Sequence, residues 1–402
     1  MILDFLQKSK TITTSEELQR ALGGGYSSVS GMTVTADTAM RFAPVFACIR
    51  VLSEAMGSLP FNLFERNGDN SNKAVDDQLY WLLSQAPNDY LSSQEWIEML
   101  VVHLCLRGNH YSWINRINGV VKELLPLNPD AVNVRQLHDW TVVYDVTFPD
   151  GTTSTLSSNE IFHVRNITSD GLEGMTPIQV RNSIGLGLAA EKFGSALFKN
   201  GAKISGLLST EANMPPETRR EMANDWNEMH GGSDQLKTAV LSGGLKWTAV
   251  SISPEDAQFL ETRKFQRSEI AGIFRVPAHM INDMEKSTFG NIEHQDRAFA
   301  VHSLAPIARR IEQRVVLSLL PIKDRKKKYA KFNMNALMRG DMKTRADYFW
   351  KRFQMGSLSP NDIRELEDEN PIVGGDTYWI PSNMMDPKDE TEMQQIGGDD
   401  NG

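Results

Sequence analysis

Two helices of matched length, separated by an insert of different rhythm, constrain this chain more than any other feature of its sequence. Pro177 to Asn200 carries a sustained helical pattern, about 36 Å long at 1.5 Å per residue. Pro177 suits a first helical turn and Gly201 suits an end. Pro254 to Val276 is a second such stretch, about 35 Å by the same rise. Between them Ser205–Thr210 reads as a strand and Pro215–His230 as a helix. Leu236–Leu241 and Leu245–Ile252 read as two strands joined through Ser242-Gly243-Gly244. Matched helices flanking a small α/β insert predict an antiparallel pair carrying a module at its tip. The first helix contains Gly185, Gly187 and Gly194. Each is worth about 0.5–1 kcal/mol less than Ala in a helix interior, so this helix needs closely packed neighbours.

An α+β block precedes the pair. Ala39 to Ser58 reads as a helix with Phe42, Val45, Phe46, Ile49, Leu52 and Met56 on one face, ended by Gly57 and Pro60. Phe61–Glu65 follows as a strand, with Asn67-Gly68 as its turn. Helices over Asp76–Gln85 and Ser92–Leu106 flank Pro87-Asn88, with Ser92 or Ser93 as the N-cap of the latter. From Tyr111 to Val164 the rhythm is that of strands: Tyr111–Arg116, Val120–Leu127, Val132–Leu137, Val142–Phe148, Thr153–Leu156 and Ile161–Val164. Asn118-Gly119 and Asp150-Gly151 are hairpin turns between them. Residues 1–38 lack sustained apolar period and read as an arm, with room for a short helix near Ser15–Leu22.

After the pair come a Pro277-containing turn, the polar loop Asn282–Ser287 and a third long helix, Asn291–Leu319, which Pro306 is expected to kink. A charged turn and the strand Tyr329–Asn333 lead to helices over Lys343–Met355 and Ser359–Asp368. Ser359 is placed to cap the last and Pro360 to open it. The tail from Asp386 is acidic and Gly-rich, a composition of disorder.

Chemistry is conspicuous by what is missing. No G-x-x-x-x-G-K-[ST], G-x-S-x-G, H-E-x-x-H or C-x-x-C occurs in the 402 residues, so an ATP-driven step needs a separate protein. Neither a transmembrane run nor a signal peptide is evident, and a cytoplasmic site of synthesis is expected. Cys48 and Cys105 lie in apolar segments and read as buried free thiols. His294 and His302 are eight apart, more than two helical turns, a poor spacing for a shared metal. Asp256, Glu261, Asp283, Glu285, Glu293 and Asp296 crowd a loop between helices. A metal-dependent nuclease could use them, but a solvated acidic face is much the commoner origin of such a cluster and nothing in the spacing is diagnostic. Lys323–Lys328 is the one dense basic run, either a solvated turn or a phosphate contact. A formal net charge of −9 argues against a conventional nucleic-acid binder. It leaves room for a protein past which DNA must slide.

The order of several short motifs resembles the portal proteins of HK97-like tailed phages, from about Thr35 to Pro381. Pro44-Val45-Phe46-Ala47-Cys48-Ile49 leads to Ser58-Leu59-Pro60, then Leu82-Leu83, Pro87-Asn88 and Gly108-Asn109-His110-Tyr111. Asp170-Gly171-Leu172-Glu173-Gly174-Met175-Thr176-Pro177 resembles that family's DGxxGxSP element, with Thr for Ser. Phe198-Lys199-Asn200-Gly201-Ala202 resembles its F-x-N-G-A. Phe259-Leu260-Glu261, Glu269-Ile270-Ala271 and Phe274-Arg275-Val276-Pro277 follow, with Arg275 where Gly is common. Arg339-Gly340-Asp341, Thr344-Arg345, Pro360-Asn361 and Gly374-Gly375-Asp376 complete the series.

The resemblance implies an α+β, multidomain subunit of a twelve-membered ring at one capsid vertex. The family divides it into wing (39–176 and part of 277–339), stem helices (177–200 and 254–276), clip (201–253), a tunnel loop leading into the kinked helix, and crown (340–385). An arm (1–38) and a tail (386–402) flank these. It further implies double-stranded DNA in the channel, and the terminase large subunit, major capsid protein and head-tail connector as partners. Cofactors, metal and membrane are not expected, and the location is the virion, after assembly in the host cytoplasm. Twelve copies at −9 would make a strongly anionic ring. A tunnel lined by cations would hold DNA through released counterions and stall its passage. The channel is therefore expected to be acidic or neutral, with Asp283, Glu285, Lys286, Thr288, Asn291 and Glu293 nearest its axis. Gly185, Gly187 and Gly194 are expected to let neighbouring stems approach.

Overall fold

The computed structural model describes residues 26–68, 70–148, 150–199, 207–209, 215–230, 246–248, 254–283, 289–334, 336, 342–367 and 369–379. The possible helix at Ser15–Leu22, the strand Leu236–Leu241 and the tail from Asp386 lie outside these. The chain divides into a unit ending at Phe332 and another beginning at Asn333.

The first unit opens with a two-stranded ribbon, β1 (Tyr26–Ser27) and β2 (Thr33–Val34), and a short helix α1 (Ala36–Met40). The long helix expected from Ala39 is thus two helices. Thr35 caps α1 in a capping box with Thr38. Phe42 then adopts extended backbone and Pro44 sits in the first turn of α2 (Ala43–Gly57). The apolar period runs on through the break, but a proline-led first turn restarts the helix.

Strands β3 (Phe61–Asn67) and β4 (Asn70–Lys73) form a hairpin, followed by α3 (Gln78–Ser84) and α4 (Ser93–Arg107). Ser92 caps α4 in a capping box with Glu95, and Gly108 ends it in the left-handed conformation. Two antiparallel sheets follow. In one, β5 (Asn109–Ile117) lies between β6 (Val120–Leu127) and β10 (Ile161–Arg165). In the other, β8 (Val142–Thr147) lies between β7 (Val132–Gln136) and β9 (Thr153–Ser157). Asn118 and Gly119 both take positive φ, 53° and 80°, as the tight turn between β5 and β6 requires. Trp96, Ile97 and Leu100 of α4 are fully buried with Phe162 of β10, and the Trp96 and Phe162 rings lie 5.6 Å apart.

The two helices expected to form the stem are α5 (Arg181–Lys199) and α7 (Pro254–Phe274); between them lie strand β11 (Leu207–Ser209), helix α6 (Pro216–His230) and strand β12 (Lys246–Thr248). β11 and β12 pair antiparallel. The first stem helix starts later than its sequence pattern. Pro177–Gln179 is a separate 3-10 turn capped by Thr176, and Val180 leaves helical backbone before α5 begins.

The third long helix also departs from a simple kink. α8 (Phe289–Phe299) passes through a π-helical segment, Ala300–Leu304, into α9 (Ala305–Ser318). Pro306 cannot donate to the carbonyl four residues earlier, and the wider turn absorbs the mismatch. β13 (Lys328–Phe332) then returns to pair with β3, stacking Phe332 on Phe61 at 4.0 Å.

In the second unit lie α10 (Met342–Gln354) and α11 (Pro360–Leu366). Ser359 caps α11 with Asp362, and Pro360 opens it, as the sequence predicts.

Candidate channel and ring-packing site

The approach to α5 is a junction of two motifs distant in sequence. Asp170 accepts hydrogen bonds from the backbone N–H groups of Leu172 and Glu173 and from the Thr168 hydroxyl. These donors hold its carboxyl below the usual range. The turn so formed brings Gly174 to Asn109. Gly174 N donates to Asn109 Oδ1 at 2.7 Å, and Asn109 Nδ2 donates to Gly174 O at 3.1 Å. A Cβ on either Gly108 or Gly174 would collide with the other's backbone. The small residues of GNHY and DGLEGM are therefore a single contact between the end of α4 and the approach to α5. Thr176 Oγ1 donates to Cys105 O at 2.7 Å beside it.

Within the stem, the start of α5 meets the end of α7, where Ser183 Oγ lies 2.8 Å from Glu269 Oε1. Two of the glycines have close neighbours within the chain. Gly185 is closed over by Ser28 of the β1–β2 ribbon, and Gly187 by the Phe42 ring; a Cβ on either would fall inside van der Waals contact. These two accommodate the chain's own N-terminal elements. Gly194 is buried. Large apolar side chains do remain exposed on both helices, namely Leu186, Phe193 and Phe265.

At the far end of α7, Arg275 has φ 55°, a left-handed residue where Gly carries no steric penalty. This explains why the sequence element ends two residues short of Val276. Ser303 Oγ, in the π segment, donates to Arg275 O at 2.5 Å.

A short 3-10 turn, Ala278–Ile281, enters the candidate tunnel loop, and Asn282 ends it with φ 64°. Asp283 N donates to Ala278 O at 3.0 Å. Glu285, Lys286 and Thr288 lie outside the described residues. Asn291 and Glu293 belong to the first turns of α8. His279 holds the two sides of the loop together. Its Nδ1 lies 2.9 Å from Gln295 Oε1 and its Nε2 3.0 Å from Asp296 Oδ1. Sequence reasoning missed this staple, since nothing in the spacing of His279, Gln295 and Asp296 marks them as partners.

Other candidates take plainer roles. Cys48 and Cys105 are buried and free, and burial pushes both thiols up to about 12. His294 and His302 are exposed. Among the described residues no group of three or more His, Cys, Asp and Glu is placed to hold a metal ion, and none of their helices is long and apolar enough to cross a membrane. Of the basic run, Arg325 donates to the Leu317 and Leu320 carbonyls at the end of α9, and Lys328 pairs with Asp77 at 2.7 Å. Lys323, Lys326 and Lys327 are exposed.

The wing also buries a polar network without a motif of its own. His103 Nδ1 lies 3.1 Å from His110 Nδ1, and Ser112 Oγ joins His110 Nε2 at 2.9 Å to Trp96 Nε1 at 3.2 Å. His163 bridges Asn109 and Tyr144. Burial holds His110 and His163 well below the usual imidazole range, and His103 at about 4. These rings are neutral spacers of a packed core.

Comparison with known proteins gives the arrangement its family. A model described as phage portal protein matches residues 43–368. The chain is 31% identical over 374 residues to the portal protein of Enterobacteria phage HK97, covering 91% of this chain and 88% of that protein. It is 31% identical over 387 residues to a probable portal protein of Streptomyces phage phiC31, covering 92% and 84%. Among solved structures, a chain in the neck of an empty gene transfer agent particle is similar with a TM-score of 0.61 at 24% identity, covering 88% of this chain and 98% of that one. An HK97-family phage portal protein from Corynebacterium diphtheriae is similar with a TM-score of 0.55 at 14% identity, covering 75% and 96%. At those identities the structures speak to the fold, and the α+β portal architecture is theirs as well. The chain therefore belongs to the phage portal protein family, structural rather than catalytic components of the virion that form the ring at the capsid vertex through which DNA is packaged and ejected.

Proposed function

We propose that twelve copies of this chain surround the duplex, with the loop after Asn282 facing it as the narrowest collar. The observation that carries this is the His279 staple, which joins the entry and exit of that loop at Gln295 and Asp296. A loop pinned at its base can present a fixed ring of side chains. Asp283, Glu285 and Glu293 then outweigh Lys286, and Thr288 and Asn291 add no charge. Weak repulsion centres the DNA and leaves it free to slide, since no phosphate is neutralised strongly enough to release a large counterion load. The insert 201–253 docks the terminase large subunit, which supplies the energy, and afterwards the head-tail connector. The major capsid protein encloses the ring at its vertex, and assembly takes place in the host cytoplasm.

The test is a charge-inverted collar, Asp283→Lys with Glu285→Lys and Glu293→Lys. Rings counted by electron microscopy should keep their symmetry and central hole, while packaged DNA per particle falls about tenfold or more as the new cations grip phosphate. Undiminished packaging by such rings would refute the acidic collar.

A further inference from the structure

Four arginines meet at one side of α9 without an anion among them. Arg310 and Arg314 stand one turn apart on that helix, on the flank of its buried stripe Ala308, Ile311 and Val315. Arg165 closes β10, on the strand face it shares with Ile161 and His163. The charges of Arg165 and Arg314 are felt by one another and, together, by His163 and the Tyr144 hydroxyl. Arg275, at the end of α7, is felt by Arg310, and the Ser303 hydroxyl ties the Arg275 carbonyl to the segment leading into α9. The result is a row: Arg275, Arg310, Arg314, Arg165. Arg275 is exposed and the other three are half-buried. Burial, and then the charge of the adjacent arginine, holds Arg310 and Arg314 below the usual guanidinium range. Among the described residues none of the four guanidiniums has a carboxylate within ion-pair distance or a hydrogen-bond acceptor. Glu173, which is felt by Tyr111 together with Arg165, is exposed and pairs with none of them.

Like charges held together and partly desolvated destabilise the subunit that contains them, and an anion entering between them relieves it. The chain itself is rich in the anion required, with 51 Asp and Glu against 42 Lys and Arg. A ring joins unlike surfaces of successive copies, so a row of cations on one side fits carboxylates on the other, and arginine is the cation that protein interfaces favour. A duplex is the other polyanion of the assembly, but it presents its phosphates on a stiff convex surface that meets protruding cations. Carboxylates on flexible side chains reach half-buried guanidiniums and accept two bonds at a time from each. We propose that this arginine row, on α9 between the ends of β10 and α7, is an interface site at which each subunit receives carboxylate side chains from the next copy in the ring. It rests on the ring that the family forms. Rotation about the ring axis keeps every residue at its own level, so the carboxylates come from the level of the neighbour's own α9.

The experiment compares the full-length chain with Arg310→Gln plus Arg314→Gln. Ring fraction is followed by size-exclusion chromatography over a range of protein concentrations, and unfolding of the subunit fraction in urea. The concentration for half-assembly should rise about thirtyfold or more in the double variant, as carboxylates of the next copy lose their partners. Its urea midpoint should equal or exceed that of the parent, because a repulsive pair has been removed. An unchanged half-assembly concentration would overturn the proposal. So would a lowered urea midpoint, which would make these arginines supports of their own subunit. Intact rings that hold less DNA would overturn it in favour of a phosphate contact. Arg314→Lys gives a second reading that keeps the charge. Treated with carbodiimide, which joins an amine to a touching carboxylate with loss of water, its rings should yield covalent dimers on a denaturing gel beyond those of the parent, linked through position 314. Links at that position within one chain only, or none, would refute the proposal. The portal reading is judged separately, by ring formation and DNA packaging in the unsubstituted protein.

Discussion

Close contacts within the subunit fix what single residues can become. Gly187 shows the consequence. With the Phe42 ring already occupying the space of a Cβ, Gly187→Leu is expected to destabilise the isolated subunit by about 1–3 kcal/mol through overpacking. A urea midpoint equal to that of the parent protein would contradict it, whatever became of ring assembly. His103 makes a second prediction. Its folded pKa of about 4 lies below the ordinary imidazole value of 6.5, so between those values the unfolded chain binds the extra proton. Stability is complete above about pH 6.5 and is lost as pH falls towards 4, by about 3 kcal/mol for this group. Urea titrations across that window should show the slope, and His103→Gln should reduce it, leaving the share of His110 and His163.

At the level of elements, the passage from α8 to α9 is the most consequential. The π segment inserts an extra residue into the turn, which rotates everything before it, including the tunnel loop, relative to α9. Pro306→Ala restores a donor and lets the helix run straight. Thermal stability should change by no more than about 1 kcal/mol, while packaging falls because the loop is re-aimed. Normal packaging by that variant would show that the helix phase is unimportant. Sequence patterns gave the existence of such elements well, because burial imposes period and Ser92, Gly108 and Ser359 mark ends chemically. They were silent where geometry is set by distant partners. β4 is polar and exposed along its length, so no alternation announces it. The breaks at Phe42 and Val180 interrupt apolar patterns that run straight through them. The neighbour of Gly185 within the chain was not legible, because Ser28 belongs to a short polar ribbon without a pattern, and nothing in the spacing links Gly187 to Phe42. The contacts of His279 with Gln295 and Asp296 were not legible, because nothing in their spacing marks them.

For the whole molecule, we propose that α5, α7 and the insert between them are an excursion from the α+β block before them. Residues 203–251 can be removed to leave a connection of about five residues between α5 and α7, an ordinary length between antiparallel helices. The deletion should keep the wing folded by circular dichroism and abolish packaging for want of a docking surface; packaging above background would argue that the terminase binds elsewhere. The pairing of β13 with β3, from Lys328 opposite Glu65 to Phe332 opposite Phe61, has a further consequence in time. When β3 leaves the ribosome its partner is not yet made, and at ordinary rates of synthesis the wait is roughly 15–50 s. During that interval one edge of β3 is an open template, with β4 on its other side. Nascent chains on one message carry the same edge close together, each able to accept a neighbour's strand in place of its own. Completion of the wing is thereby deferred until most of the chain has emerged, and crowding of polysomes becomes the condition under which this protein is most prone to swap strands.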